Sequence, residues 1–151
     1  MKVLIFSDSH GQKRRMVDIA AKEKPSLILH LGDHEADAAG TFANVRTRNV
    51  KGNCDYNSVE EETRRFDLGD VKIFMTHGHR YRVKFGLEAL TEAALAAGAN
   101  VILFGHTHRP YLQKYPDYTI MNPGTPDQSY GMIEIEDGKL KNITLKETNF
   151  I

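Results

Sequence analysis

The sequence lacks most of the features that mark a secreted, membrane-bound or nucleic-acid-binding protein. Cys54 is the only cysteine among 151 residues, so the chain cannot form an internal disulfide and does not require an oxidising compartment. The 20 basic and 20 acidic residues balance, so no overall field favours nucleic acid or an anionic membrane. No apolar run approaches the roughly 18 residues needed to span a bilayer, and the first run, at residues 3–6, is too short for a signal peptide. We therefore expect a soluble, cytoplasmic protein without a membrane segment or a dedicated nucleic-acid surface.

One short segment departs locally from this charge balance. Residues 80–84 read Arg-Tyr-Arg-Val-Lys and are the best candidate for a small basic patch. The alternative interpretation, a solvated loop or helix start, accounts for the segment equally well.

The apolar patterns predict one α/β domain over residues 1–151. Hydrophobic residues make up 40% of the chain, which allows a sizeable core. Strands are predicted at 3–6, 27–31, 45–50, 63–68, 71–76, 101–104, 111–115, 118–121, 131–136 and 140–146. Helices are predicted at 12–24, 36–42 and 85–97. The predicted strands alternate with helices in the first part of the chain and follow one another directly in the last part. This order favours mixed, partly antiparallel sheets in layers.

Residue types that bind metals cluster where four of the apolar runs end. The polar segments that follow these runs contain Asp8 and His10, Asp33, His77 and His79, and His106 and His108. Five of the seven histidines lie at these ends, which are the positions where open α/β sheets bind ligands. Each short motif alone is common by chance, but four of them at strand ends together predict a functional site.

The spacing within two of the pairs has a physical interpretation. Asp8 and His10 are two residues apart, as are His106 and His108, and on extended backbone side chains at this spacing point the same way. Each pair is therefore expected to reach one pocket. Glycines accompany three of the strand ends, at positions 32, 78 and 105. They would remove side-chain bulk where the backbone turns sharply beside an ion.

The order of these motifs resembles the calcineurin-like metallophosphoesterase superfamily. The matching segments are Asp8-x-His10, Gly32-Asp33, Gly52-Asn53, His77, Gly105-His106-x-His108 and Met121-Asn122-Pro123-Gly124-Thr125. The small size and the pair Cys54-Asp55 are similar to the compact YfcE-type phosphodiesterases within it. The resemblance implies an α/β fold of two mixed β-sheets packed as a sandwich with flanking helices, in agreement with the pattern of elements.

The resemblance also implies two divalent metal ions and their ligands. The seven ligands would be Asp8, His10 and His108 for the first ion, Asn53, His77 and His106 for the second, and Asp33 bridging both. A carboxylate can bridge two cations because its two oxygens offer several lone pairs. Mixed imidazole, carboxylate and amide ligands suit Mn, Fe, Zn or Ni better than Mg or Ca, and we expect Mn.

The resemblance implies a metal-dependent phosphodiesterase that hydrolyses small phosphodiesters, with possible monoesterase side activity, and a two-metal site needs no nucleophilic side chain. Two ions about 3.5–4 Å apart clamp the phosphoryl oxygens and lower the pKa of a bridging water, whose hydroxide attacks phosphorus in line. The residues expected to take part in catalysis are Asp33, Asn53, His79 and Cys54.

Cys54 is a departure from the family pattern. Many relatives have a histidine at this position that stabilises the phosphoryl group or protonates the leaving group. A neutral thiol is a poor proton donor, because it titrates near 8.5. His79, two residues after His77, is a candidate substitute, and the alternative is that it only orients the site.

Two further histidines have other expected roles. His30 lies inside an apolar strand and is expected to be a hydrogen-bonded core residue, and His34 is expected to be part of a loop.

Other classes of function remain as alternatives. The same compact fold serves as a protein-interaction scaffold in the retromer coat, where the metal site is degraded. A purely structural metal site is the third interpretation, but such sites are usually closed four-ligand zinc cages. All seven expected ligand positions are occupied by competent residue types here, which favours the enzyme. A homo-oligomer is expected only by resemblance.

Overall fold

The computed structural model describes residues 1–33, 42, 45–56 and 58–148, and within them the chain forms ten strands and two α-helices. The strands are β1 (Lys2–Phe6), β2 (Leu27–His30), β3 (Arg46–Asn49), β4 (Thr63–Leu68), β5 (Val71–Thr76), β6 (Val101–Leu103), β7 (Tyr111–Lys114), β8 (Thr119–Asn122), β9 (Ser129–Glu136) and β10 (Lys139–Glu147). The helices are α1 (Lys13–Glu23) and α2 (Glu88–Ala96), with a short 3-10 helix at His79–Tyr81.

The strands form two five-stranded mixed sheets. The first sheet has the order β10-β9-β1-β2-β3, with β1, β2 and β3 parallel and β9 antiparallel to both of its neighbours. The second has the order β4-β5-β6-β8-β7, with a parallel centre and an antiparallel strand at each edge. The predicted fold of two mixed sheets with helices is therefore confirmed.

The largest hydrophobic cluster lies between the two sheets. Alternate residues of β1 and β2, such as Val3, Ile5 and Leu29, pack in one cluster with Ile73 and Leu103 of the second sheet. This is the period of two that a strand imposes on its side chains. The sheets consequently pack face to face, and their strand ends are held in fixed relation.

The opposite face of each sheet packs against a helix. Leu4 and Ile28 of the first sheet contact Met16 and Ile19 of α1, all of them fully buried. On the second sheet, Phe74, Ile102 and Ile120 form a cluster with Leu90 and Ala94 of α2. The central strands are thus apolar on both faces, which explains why their sequences are continuous apolar runs.

Every predicted strand is present, with ends displaced by at most two residues. The larger difference concerns the helix predicted at 85–97, which begins at Glu88 instead. Gly86 has a φ of +141°, which is incompatible with a helix, and Phe85 before it is 89% exposed. The apolar pattern therefore included three residues that precede the helix in the chain.

Two further expectations concern the remaining segments. The helix predicted at 36–42 falls almost entirely outside the described residues, as does His34. Among the residues that are described, no helix has both the length and the apolar character required to cross a membrane.

Candidate metal site

The four strand ends predicted to form the site meet at one edge of the sandwich. β1 and β2 belong to the first sheet, and β5 and β6 belong to the second. Two hydrogen bonds join the sheets at this point. The backbone N–H of His106 donates to Oδ2 of Asp8 over 3.0 Å, and Nδ1 of His77 donates to the carbonyl of Leu31 over 2.8 Å. The site is consequently built by both sheets, and neither could form it alone.

The predicted ligands lie in two groups that share one carboxylate. The first group contains Asp8, His10, Asp33 and His108, and the second contains Asp33, His77 and His106. Within each group, one potential ligand atom from every residue lies within 4.8 Å of the others. Six of the seven expected ligands are therefore close together, with Asp33 common to both groups, and Asn53 is the one that neither group includes.

The loop at residues 52–55 fixes the orientation of Asp33. The Cys54 N–H donates to Oδ1 of Asp33 over 2.9 Å. Asp55 in turn accepts the backbone N–H groups of Asp33 and Gly52 over 2.9 and 2.8 Å. Gly52 is required here, because a Cβ at this position would lie 2.2 Å from Oδ1 of Asp33. The shared carboxylate is therefore held in one direction before any ion binds.

Asp8 is a fully buried carboxylate whose Oδ1 atom lies 3.2 Å from Nε2 of His108. Its Oδ2 accepts the Ser7 hydroxyl over 2.6 Å, but its Oδ1 is buried and accepts no hydrogen bond from the described residues. Burial raises the pKa of Asp8, although His77, Ser7 and His108 oppose the rise. A buried anionic oxygen without a donor is costly unless a cation binds it.

The second group shows the same need for positive charge. His77 uses its Nδ1 hydrogen on Leu31, so in the neutral ring Nε2 presents a lone pair. That atom lies 3.4 Å from Oδ2 of Asp33 and 3.8 Å from Oδ1 of Asp8. Burial lowers the pKa of His77, but the two carboxylates outweigh burial and raise it overall. The raised pKa means that the two carboxylates attract a proton to His77. A bound cation would supply the same positive charge, so these donors fit a metal ion.

His106 is suited to present a neutral nitrogen. Burial, followed by the nearby charges of His77 and Lys84, lowers the pKa of His106 to about 4. At neutral pH its ring is therefore uncharged, and a neutral imidazole is the form that binds metals.

The prediction that the paired ligands lie on extended backbone was wrong. Five of the seven predicted ligands have φ between 42° and 70°, namely Asp8, His10, Asp33, His106 and His108. They account for five of the eight non-glycine residues with positive φ in the described part of the chain. His106 and His108 consequently diverge: His106 contacts His77, while His108 lies with its ring 5.1 Å from that of His10. Such conformations cost about 1–3 kcal/mol each and occur mainly at functional sites.

The other predicted site residues surround this pair of groups. Asn53 is exposed, and its amide lies 3.7 Å from the Cys54 sulfur. Cys54 is also exposed, and burial together with the charge of Asp33 raises the pKa of its thiol, so the thiol stays neutral at neutral pH. His79 has its ring 5.5 Å from that of His77, and its buried Nδ1 has no hydrogen-bond partner in the described residues.

Sequence reasoning missed three residues that position these ligands. Ser7 holds Asp8, and Asp55 holds the 52–55 loop against Asp33. Asn122 donates to the Gly105 carbonyl over 3.1 Å and to the Thr107 hydroxyl over 3.0 Å, fixing the loop that bears the last two histidines. Asp55 and Asn122 stood within matching motifs, but nothing in their spacing indicated a positioning role.

His30 is the hydrogen-bonded core histidine that its position inside an apolar strand predicted. It is fully buried, and its Nδ1 accepts the Gly32 N–H over 3.2 Å. Its other nitrogen must then bear the hydrogen, and it lies 2.9 Å from the Ser9 hydroxyl oxygen. His30 therefore supports the two strand ends without joining either ligand group.

Comparison with known proteins places this site in a family. The family described as "Calcineurin-like phosphoesterase superfamily domain" matches residues 1–138. The probable metallophosphoesterase YsnB of Bacillus subtilis is 32% identical over 146 residues, covering 91% of this chain and 86% of its own. The phosphodiesterase YfcE of Escherichia coli is 25% identical over 169 residues, covering 89% of this chain and 88% of its own.

Solved structures agree with this relationship. A predicted phosphoesterase from Streptococcus pneumoniae has a TM-score of 0.81 at 26% identity, covering 97% of this chain and 89% of its own. Vps29 from Entamoeba histolytica, complexed with zinc, has a TM-score of 0.76 at 23% identity, covering 99% of this chain and all of its own, and so shares the fold. The family match over residues 1–138, together with the 32% identity to YsnB, shows that this chain belongs to the calcineurin-like phosphoesterase superfamily.

Proposed function

We propose that this protein is a phosphodiesterase that hydrolyses small phosphodiesters with two divalent ions, and that residues 1–151 act as one domain. The observation that supports this best is the pair of ligand groups sharing Asp33. A single structural ion would not require two separate sets of donors on a common carboxylate. The ligands in the proposal are Asp8, His10, Asp33 and His108 on one side, and Asp33, Asn53, His77 and His106 on the other.

The chemistry divides between the ions and the chain. When bound, two divalent ions would polarise the phosphoryl oxygens and lower the pKa of an attacking water. The chain's own residues hold the donors: Ser7 orients Asp8, Leu31 fixes the tautomer of His77, and the Cys54 N–H orients Asp33. Mn is the proposed metal, because the donor set mixes imidazole with carboxylate, and Fe, Zn or Ni would fit the same donors.

Proton donation to the leaving group is the weak part of this site. The Cys54 thiol is neutral and a poor acid, so we assign it no direct step. His79 has an unpartnered Nδ1 beside His77, but burial and the charge of His77 lower the pKa of His79. His79 is thus mostly neutral at neutral pH and must bind a proton before it can donate one. We therefore expect diesters with stable leaving anions to be the better substrates.

The scaffold alternative is less well supported. Vps29 has the same fold, but at 23% identity that likeness concerns the fold alone. A scaffold would not need the buried carboxylate of Asp8 or the left-handed backbone at five ligand positions. We also propose a cytoplasmic location, and no partner other than a small substrate is needed for the proposed reaction.

The test is metal removal and replacement on the purified chain. Chelation should abolish hydrolysis of bis(p-nitrophenyl) phosphate, and Mn should restore it better than Mg. Metal analysis of the active protein should give about two ions per chain. Full activity without metal would refute the mechanism, and one ion in the fully active protein would refute the bridge at Asp33.

Two matched variants test whether the activity depends on Asp33. Asp33→Asn should lower turnover by at least about 100-fold, more than is usual when only a partner of a ligand is lost. Asp67→Asn removes an exposed carboxylate on β4 and should leave turnover and metal content unchanged. Equal activity of Asp33→Asn and the native protein would contradict the proposal.

A further inference from the structure

A cavity of ≈ 600 Å³ is bordered by the segment that carries His106 and His108. Thr107, which separates His106 from His108, is part of its wall. Lys84 also lines it. A phosphodiester at the metal site would therefore have one of its two organic arms next to this cavity.

One side of the cavity is apolar and partly aromatic. Val83 and Leu87 line it together with Phe104, which is 2% exposed, and Tyr111. The rings of Phe104 and Tyr111 lie 6.3 Å apart, and 38% of Tyr111 is exposed. Cavities for organic ligands typically combine such apolar walls with a few charged or polar groups. A flat ring would find contact surface here that a small alkyl group could not use.

The charged groups of the cavity have one sign. Lys84 and Arg109 both line it, and its wall, which lies wholly within the described residues, includes no carboxylate. Arg80, from the same basic segment as Lys84, is instead paired with Glu62 at 3.1 Å. Within residues 80–84, Arg80 therefore forms a salt bridge, whereas Lys84 lines the cavity. A ligand that complements this wall needs a negative charge of its own beyond the diester.

We propose that this cavity binds one arm of the substrate, an aromatic arm that bears a further anionic group, as a nucleoside phosphate does. The proposal rests on the proposed phosphodiesterase function, because it assigns the cavity to that reaction. Rings would contact the exposed part of Tyr111, which packs against the buried Phe104, and the extra anion would lie between Lys84 and Arg109. Substrate choice would then depend on the arm, while the ions and their ligands act on phosphorus.

Three diesters with the same leaving group test the assignment. Each is a p-nitrophenyl phosphate, and the second arm is methyl, phenyl or 4-carboxyphenyl. Since the leaving group is constant, kcat/KM should rise in that order, by about 2- to 10-fold for the ring and by up to about 5-fold for the exposed charge. Equal kcat/KM on all three would overturn the cavity assignment and leave the proposed function intact.

Matched variants separate the ring from the charge. Lys84→Met should remove the advantage of 4-carboxyphenyl over phenyl, whereas Lys114→Met, an exposed lysine outside the cavity wall, should keep it. Tyr111→Ala should reduce the advantage of phenyl over methyl, whereas Tyr111→Phe, which keeps the ring, should not. Equal losses in a variant and its control would overturn the assignment.

A binding measurement keeps the two proposals distinguishable. Calorimetric titration of the Mn-loaded protein with 4-carboxyphenyl phosphate should show weaker binding to Lys84→Met than to Lys114→Met. If this difference appears while none of the three diesters is hydrolysed, the proposed catalysis fails and the cavity assignment is supported. If binding to both variants is equal, the assignment fails whatever the turnover.

Discussion

The Nε2 atom of His77 lies 3.1 Å from the Nδ1 atom of His106. The first residue follows β5 and the second follows β6, and these strands are adjacent and parallel. The His77 nitrogen already faces two carboxylates, so a second imidazole nitrogen at this distance adds another lone pair unless a proton or a cation intervenes. Folding of the chain thus brings several electron-pair donors together at one point. We therefore expect the properties of the site to depend on whether metal is bound.

Ser7→Ala should weaken metal binding without unfolding the protein. The Ser7 hydroxyl is the donor that holds Oδ2 of Asp8, over 2.6 Å. Loss of such a partner typically costs about 10–100-fold in metal affinity or activity. Titration of the metal-stripped variant with Mn, followed by activity, measures the change. Ser26→Ala is the control, since its side chain is exposed and lies at the opposite end of β2 from Asp33. An unchanged Mn affinity in Ser7→Ala would show that Asp8 needs no such support.

His30→Gln should lower stability more than specific activity. His30 is fully buried and makes hydrogen bonds through both nitrogens, to Ser9 and to Gly32. Glutamine would leave at least one buried partner unsatisfied, at a cost of about 1–3 kcal/mol. Chemical denaturation of the metal-free protein gives the free energy of unfolding. A variant that kept its stability but lost metal and turnover would mean that His30 belongs to the site.

Cys54→Ala should retain most of the activity. The backbone N–H of Cys54 donates to Asp33, and alanine keeps this bond. The exposed thiol also hydrogen-bonds Asp33, but it is neutral and its loss leaves the backbone bond in place. Cys54→His should raise turnover of alkyl diesters more than of aryl diesters, because general acid help is worth roughly 10²–10⁴-fold and matters most for poor leaving groups. Rates of the three forms on aryl and alkyl diesters test both statements. Loss of activity in Cys54→Ala at full metal content would assign the thiol a direct role.

Glu23 should make stability depend on pH at the acid end. Burial alone would raise the pKa of Glu23, but hydrogen bonds from Tyr130 over 2.6 Å and from Lys146 over 3.1 Å outweigh it, so the pKa is lowered from 4.5. A carboxylate whose pKa is lower in the folded chain adds stability above its unfolded pKa. That stability is lost as the pH falls through the folded value.

Glu23→Gln measures this contribution. The variant should lose about 1–3 kcal/mol of unfolding free energy at pH 7, and the difference from the native protein should shrink below pH 4.5. Glu136→Gln is the matched control, because Glu136 pairs with Lys141 at the surface and both side chains are at least 60% exposed. A difference between Glu23→Gln and the native protein that is the same at pH 4 and pH 7 would contradict the assignment.

Much of the fold could be predicted from the sequence, because the central strands are buried on both faces and their apolar runs are unambiguous. The clustering of six candidate ligands followed from the residue types at the ends of those runs, whereas Asn53 and the division between two ions were implied only by the family resemblance. The positioning residues could not be found in this way, since Asp8 and His106 meet across 98 residues and Ser7 acts through that meeting. The backbone conformation of the ligands was also missed, because tertiary contacts impose it against local preference.

The left-handed backbone at five ligand positions has an evolutionary consequence. A glycine at His106 or His108 would relieve local strain while deleting a donor, so a chain that no longer needs the metals gains stability by losing them. Without selection for metal binding, substitution at these two positions would therefore tend to raise the free energy of unfolding while removing the metal donors.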